Sequence, residues 1–342
     1  MAAQITMNTP MRYARMLGVG AYRPDRVIPN SEIVDAIDSS DEWIQSRSGV
    51  KQRYRARPDE SVVDMSEVAS RDALAMAGLD ASQIDAVIVA TVTHMYQTPG
   101  AAPLLAARLG LTCAAFDVSA ACAGYAYAVS VANDMVRAGT ADHVLVVGME
   151  KLLDITDLTD RGSAFIFGDG GGAAIIGPSD VPGIGPTVWG ADGTLAGLIH
   201  QTRTWLELRG ETHEDAVADT IATEWPTIRQ QGPSVFKWVI SNVPEIARRA
   251  VEAAGLSLED VDVFIPHQAN MRITDQVVKM LGLREDVVVA RDIAETGNTS
   301  AASIPLATER LLREGQARSG QVALQIGFGA GMAFAAQVVV LP

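Results

Sequence analysis

Cysteine is almost missing from this chain: 342 residues carry two, Cys113 and Cys122. So sparse a supply builds no disulfide framework and fits a reducing, cytoplasmic setting. Aromatic residues are scarce at 5%, and the five histidines fall at no spacing that ligates a metal. No run approaches the roughly 18 apolar residues of a membrane span, and the N-terminal stretch lacks the continuous apolar segment of a secretory signal. Positive charge is the other deficit. With 27 Lys and Arg against 41 Asp and Glu, the net charge of -14 excludes a broad basic footprint for nucleic acid or anionic lipid. An acidic partner therefore has to dock on a local basic patch.

What is present alternates. Short β-branched runs at 86–91 (AVIVAT), 144–148 (VLVVG), 261–266 (VDVFIP) and 322–327 (VALQIG) predict strands. Segments of helical period at 64–77, 101–109, 124–138, 243–254 and 304–313 lie between them, several closing on Gly. An α/β layered fold follows. The chain also echoes itself. Ala77-Gly78-Leu79 with Asp85 and Ile88 matches Ala254-Gly255-Leu256 with Asp262 and Ile265; VRAG at 136–139 matches LREG at 312–315; FGDGG at 167–171 matches FGAGM at 328–332. Two pseudo-equivalent halves are expected, 1–177 and 178–342, joined near 177–185. Residues 198–231 break the pattern and read as an irregular insertion in the second half, either an access loop or a plain surface excursion.

Three side chains carry chemistry in this frame. Cys122 sits in DVSAACAGYAYA, where a strand-like approach turns through small residues into an apolar helix. At a helix start the dipole favours thiolate, and backbone N–H groups can face an oxyanion. Taken alone, Cys122 is still better read as a small buried hydrophobe, and Cys113 keeps that reading. His267, in FIPHQANMRI, follows a strand directly and projects from its carboxyl edge, where sites of α/β sheets gather. Asn298, in TGNTSAASIPLA, is explained well enough as a helix cap. An offset of 176 nevertheless lays Cys122 on Asn298, so both are expected in the first turn of equivalent helices. A nucleophile, an acid/base and a hydrogen-bond donor then converge between the halves.

With those residues in place the chain closely resembles the 3-oxoacyl-[acyl-carrier-protein] synthase III family, the initiating ketosynthases of the thiolase-like superfamily. The resemblance is carried by SDEWIQSRSG (40–49), FDVSAACAGYAYA (116–128), DRGSAFIFGDGGGAA (160–174), PHQANMRI (266–273), TGNTSAASIP (296–305) and IGFGAG (326–331). It implies an internally duplicated α-β-α-β-α fold and an acyltransferase, with Cys122, His267 and Asn298 catalytic. Cys122 would take an acyl group from coenzyme A. Malonyl-acyl-carrier protein would then be decarboxylated, and the acyl group condensed with it to a 3-oxoacyl-carrier protein. The backbone N–H groups of Cys122 and Ala330 would form the oxyanion hole, Ala330 standing where many relatives have Gly.

The resemblance further implies acyl-CoA and the acyl carrier protein as partners, a homodimer, and no cofactor, metal, nucleic acid or membrane. Trp43 and Arg161 would sandwich the adenine, Arg47 would meet the phosphates, and Gly232, Phe236 and Asn270 would line the pantetheine tunnel. Arg272 and Lys279, with Arg248, Arg249 and Lys237 near them, would form the basic patch for carrier protein. Thr98, in THMYQTPGAAP, would floor the partner's acyl pocket where some relatives carry a bulky aromatic. That change implies room for branched or longer starters. Other readings stay open: a starter-loading enzyme of polyketide or other secondary metabolism, and a silent acyl-binding homologue. A thiolase lacks its second cysteine here, and a hydroxymethylglutaryl-CoA synthase would need a carboxylate such as Glu150 beside the nucleophile.

Overall fold

The computed structural model describes residues 12–208 and 225–342. Its first half runs β1 (Tyr13–Tyr22), β2 (Arg26–Pro29), α1 (Asp41–Ser48), β3 (Gln52–Arg55), α2 (Val62–Ala77), β4 (Ala86–Ala90), α3 (Ala101–Arg108), β5 (Ala114–Val118), α4 (Gly124–Ala138), β6 (Val144–Lys151) and β7 (Asp169–Ser179). The second runs β8 (Val188–Gly190), β9 (Ile199–Gln201), α5 (Trp205–Leu208), β10 (Ile228–Gln230), α6 (Gly232–Ala253), β11 (Val263–Pro266), α7 (Met271–Leu281), β12 (Val288–Val289), α8 (Ile293–Thr296), α9 (Ser303–Arg313), β13 (Val322–Phe328) and β14 (Phe334–Val340).

Burial explains the layers. The β4 strand (AVIVA) and β6 (VLVVGMEK) are covered on both faces, as continuous β-branched runs in parallel pairs require. They sit inside a five-stranded sheet of order β1-β7-β6-β4-β5, and the second sheet has the order β12-β11-β13-β14-β8. Each sheet has three parallel strands followed by two antiparallel ones, so the two halves repeat one topology. The helices α4 and α9 lie between the sheets, where Tyr125, Val129, Ile304 and Ala307 share one core with strands of both. Outer layers complete the stack: α2 and α3 on the first sheet, α6 and α7 on the second. The result is the α-β-α-β-α order expected from the sequence.

The repeat register needs a correction. The tight turn 121–123 leading into α4 corresponds to the turn 300–302 leading into α9, and Ala121 and Ser300 both take left-handed φ, 46° and 50°. Gly124 thus answers Ser303, an offset of 179, and Cys122 answers Ala301 rather than Asn298. The helix ends, Gly139 and Gly315, still agree at 176 because α9 has 11 residues against 15 in α4. An alignment anchored on the helix ends therefore slips by three residues at their starts. The FGDGG and FGAGM echo is also out of step: Phe167–Gly171 runs into β7, whereas Phe328–Met332 is the turn between β13 and β14.

Two further differences concern the second half. Helix α6 begins at Gly232 and not at 243, because Pro233 in its first turn is the start signal and Pro244 lies inside the helix. The insertion is partly regular: β9 and β10 pair antiparallel, and 209–224 lie outside the described residues. The strand β7 continues to Ser179, so the passage between halves occupies 180–187. No described helix is long and apolar enough to cross a membrane.

Candidate active site

The loop after β5 turns so sharply that Ala121 is forced into the left-handed region, which costs a non-glycine residue strain and sets Cys122 just ahead of α4. A second loop presses on it from β13. A Cβ built on Gly329 would lie 2.8 Å from both the Cβ and the backbone N of Cys122, and 3.0 Å from its Sγ. Glycine is thus required there by space and not by dihedral. We expect Gly329→Ala to displace the Cys122 loop and lower stability by about 1–3 kcal/mol. The check is a thermal melt alongside the rate of thiol alkylation, which should fall in the variant.

Cys122 is half-buried and borders a cavity of about 930 Å³. Loss of water pushes its thiol up to about 12; a hydrogen bond with Ser300 works against this rise and the charge of Glu150 adds to it. Cys122 does stand at the start of α4, as expected, where the helix dipole works against that loss of water.

His267 ends β11, its N–H donating to the Ile326 carbonyl at 2.7 Å. Its ring is buried edge-on to Phe328, centroids 5.3 Å apart, and burial alone holds its pKa down to about 3. The imidazole is therefore neutral. Ser303 Oγ lies 2.8 Å from Nδ1 and already accepts the Gln268 N–H at 3.2 Å. Its own proton is then directed at Nδ1, an assignment that leaves the ring proton on Nε2. Gln268, fully buried, pins the segment by donating to the carbonyls of Pro266 and Ala290 and accepting from Ile293 N–H.

Asn298 reaches the cavity from the other side. Its backbone is clamped to the first half, N–H to the Ile166 carbonyl at 2.7 Å and carbonyl to the Gly168 N–H at 3.1 Å. Its Oδ1 accepts the Ser300 N–H at 2.8 Å, which leaves the NH2 group as the free end. Asn298 does cap the turn that leads into α9, and it lines the cavity with Cys122 and His267 as well. The loop carrying Ala330 lines it too. Gly331 and Met332 take the left-handed conformations in that loop while Ala330 does not, so Ala is accommodated at 330.

Trp43, Arg47, Arg161, Gly232, Phe236, Asn270 and Arg272 all border the same cavity. The Arg161 guanidinium lies 5.1 Å from the Trp43 ring centroid and is half-exposed, with Asp38 at 3.8 Å. Arg47 approaches the same ring at 5.9 Å. Asn270 ties α7 to α1, accepting from Arg272 N–H and donating to the Arg47 carbonyl. Arg272 stacks on Phe236 at 5.9 Å, and Lys279, exposed two turns further along α7, does not border the cavity. Arg248 is occupied with the Met280 carbonyl. Thr98 is exposed on the loop after β4 and stands apart from this cavity.

Sequence reasoning left out Ser300, Ser303, Gln268 and Gly329, although all four lie inside the quoted motifs. It also left out the insertion's contribution: Ile199, His200 and Ile228, on β9 and β10, form part of the cavity wall.

Comparison with known proteins bears on the family and the fold. Family models described as 3-oxoacyl-[acyl-carrier-protein] synthase III and as its C-terminal part match residues 116–193 and 251–341. Beta-ketoacyl-[acyl-carrier-protein] synthase III 1 of Streptomyces coelicolor is 56% identical over 332 residues, 96% of this chain and 97% of that protein. A mycobacterial beta-ketoacyl-[acyl-carrier-protein] synthase III, from Mycobacterium avium, is 50% identical over 96% of this chain and 95% of its own. Among solved structures, the priming beta-ketosynthase of the R1128 polyketide biosynthetic pathway superposes with a TM-score of 0.91 at 47% identity, covering 98% of each chain. The 3-oxoacyl-(acyl carrier protein) synthase III of Pseudomonas aeruginosa gives 0.87 at 35%, over 97% of this chain and 99% of that one.

Proposed function

The chain belongs to the 3-oxoacyl-[acyl-carrier-protein] synthase III family of thiolase-like condensing enzymes, and from that premise we propose that it initiates fatty-acid synthesis by condensing an acyl-CoA starter with malonyl-acyl-carrier protein. It is an acyltransferase. The observation that carries the proposal is the convergence of Cys122, His267 and Asn298 on one cavity that Trp43, Arg47 and Arg161 also border.

In the first half-reaction the Cys122 sulfur attacks the thioester carbonyl, coenzyme A departs, and an acyl-cysteine remains. The backbone N–H groups of Cys122 and Ala330 face the oxyanion. In the second, malonyl-carrier protein loses carbon dioxide, and negative charge gathers on its thioester oxygen. The Nε2–H of neutral His267 and the NH2 of Asn298 are the paired donors for that charge. The new carbanion attacks the acyl-cysteine, a carbon–carbon bond forms, and Cys122 leaves.

Adenine would enter between Trp43 and Arg161. Two contact distances of about 3.5 Å make a gap of about 7 Å, so Arg161 has to swing outward, which its exposure permits. Arg272 at the cavity and Lys279 beyond it supply the positive face for an acidic carrier protein against a net charge of -14. A homodimer through the β5 edge of the first sheet, where Phe116 and nearby Tyr96 are exposed, would bring Thr98 to the partner's acyl pocket. The two halves, joined by the passage at 180–187, act as one unit, and a cytoplasmic setting fits this chemistry.

The likeness to a priming ketosynthase of a polyketide pathway favours one second reading, in which the same condensation starts a polyketide. Initial rates over a panel of acyl-CoA starters with malonyl-carrier protein test both reaction and specificity. Carbon dioxide release with branched or longer starters used at least as well as acetyl is the expected result. Acyl transfer without carbon dioxide would overturn condensation, and strict preference for acetyl would overturn the wider pocket at Thr98.

A further inference from the structure

The insertion in the second half grips a loop of the first. That loop, 154–162, ends in Arg161 and Gly162 on the cavity wall. Three side chains at β10 and just before it make the grip. Trp225 Nε1–H donates to the Asp154 carbonyl at 2.8 Å. Arg229 donates from Nη2 to Asp157 Oδ2 at 2.8 Å, and its Nη1 lies 3.6 Å from Asp160 Oδ2. Gln230 Nε2 reaches the Gly162 carbonyl at 3.4 Å. The two half-reactions use none of the three.

The carboxylates that Arg229 meets are themselves built into a turn. Asp157 Oδ1 accepts both the N–H and the hydroxyl of Thr159, at 2.9 and 2.7 Å, while Asp160 accepts the Gly162 N–H at 3.0 Å and the Ser163 hydroxyl at 2.6 Å. These bonds shape the turn from which Arg161 projects. Thr159 first, and then Arg229, hold the Asp157 carboxyl down to about 2, so the pair stays charged over the working range. The other end is anchored as well. Arg229 Nη1 donates to Thr227 Oγ1 at 3.1 Å, and Gln231 N–H donates to the Leu198 carbonyl at 2.9 Å. Helix α6 starts at the next residue and carries Phe236 on the cavity wall. Arg229 therefore ties the Arg161 turn to the start of α6, two walls of one cavity.

We propose that Arg229 is a positioning residue for the nucleotide end of coenzyme A: by spanning Asp157 and Asp160 it fixes the backbone of the turn 157–162, so that only the Arg161 side chain moves when adenine enters against Trp43. This rests on the reading of Trp43 and Arg161 as the adenine clamp. Arg229 itself does not border the cavity. A turn without this tie has to be ordered as the nucleotide binds, and the cost falls on the nucleotide and not on the thioester, since Cys122 is held by other elements. A planar fork suits two carboxylates, where an ammonium serves one. The insertion that breaks the sequence repeat thus braces the coenzyme site.

Acylation of Cys122, read by intact mass, tests this on the wild type, Arg229→Ala and Arg229→Lys. The best starter of the acyl panel is carried either on coenzyme A or on N-acetylcysteamine, a thioester without a nucleotide. A partly exposed ion pair adds little to overall stability, so both variants should melt near the wild type. Arg229→Ala should raise the half-saturating acyl-CoA concentration by about 10-fold at an unchanged maximal rate, and should load from the N-acetylcysteamine thioester as the wild type does. Arg229→Lys keeps the pair with Asp157 and should recover most of the affinity. An unchanged half-saturating concentration in Arg229→Ala, or equal losses on both thioesters, would overturn the positioning role. A wild type that loads both thioesters equally well would instead overturn the nucleotide clamp on which that role rests.

Discussion

Cys122→Ala is expected to gain no acyl mass from any acyl-CoA and to lose condensation by about 10⁴-fold or more, the scale on which covalent nucleophiles are missed. The argument is positional. The thiol borders the cavity shared by His267 and Asn298, under a loop that leaves no room for a side chain at 329. Cys113 packs at the margin of the outer core instead, and burial raises its thiol also. Cys113→Ser should therefore load acyl groups at the wild-type rate, which makes it the internal control. The Cys122 variant keeps both donors of the second half-reaction, so slow decarboxylation of malonyl-carrier protein should survive in it. Intact mass and carbon dioxide release, measured on the same samples, separate the two outcomes.

The complementary result is expected from the donors. His267→Ala and Asn298→Ala should each lower decarboxylation by about 10²–10³-fold, with the double variant losing less than the product, because both donors serve one oxygen. Acyl loading should persist in all three. The pH signature is specific. A ring held near 3 by burial is neutral throughout the working range, so decarboxylation should show no inflection at the ordinary histidine value. The unfolded chain would protonate this residue near 6.5 and the folded chain would not. Its contribution to stability is thus fully present above 6.5 and is lost as pH falls toward 3. Denaturant unfolding at pH 7 and pH 5 should differ in that direction for the wild type and less for His267→Ala.

Much of the fold was legible because burial writes itself into residue type. The strands β4, β6, β11 and β13 are runs of branched apolar residues, and all four were found from that alone. Helix α6 was cut short because Pro244 mimics a beginning. The repeat was visible through its helix ends, but the shorter α9 hid its true register, and Asn298 was paired with Cys122 for a reason that the turn geometry removes. What joins these residues is the cavity, to which each half delivers its share by a different route. Ser300 and Glu150 could not be singled out from sequence, since Ser300 reaches the cavity through a left-handed turn and Glu150 finds its donors Thr91 and Thr93 only in the folded chain. Polar partners chosen by tertiary proximity carry no periodic signal.

That left-handed residue occurs twice, as Ala121 and as Ser300. Descendants of one duplicated unit have kept the same bend and divided its uses. In one copy the bend presents a thiol at the following position; in the other the following position is Ala301, and the bend itself brings Ser300 to the cavity that the thiol borders. A perfectly symmetric pair would offer two like nucleophiles to two like substrates. Divergence between the copies yields one centre with unlike walls, suited to two different thioesters received in turn.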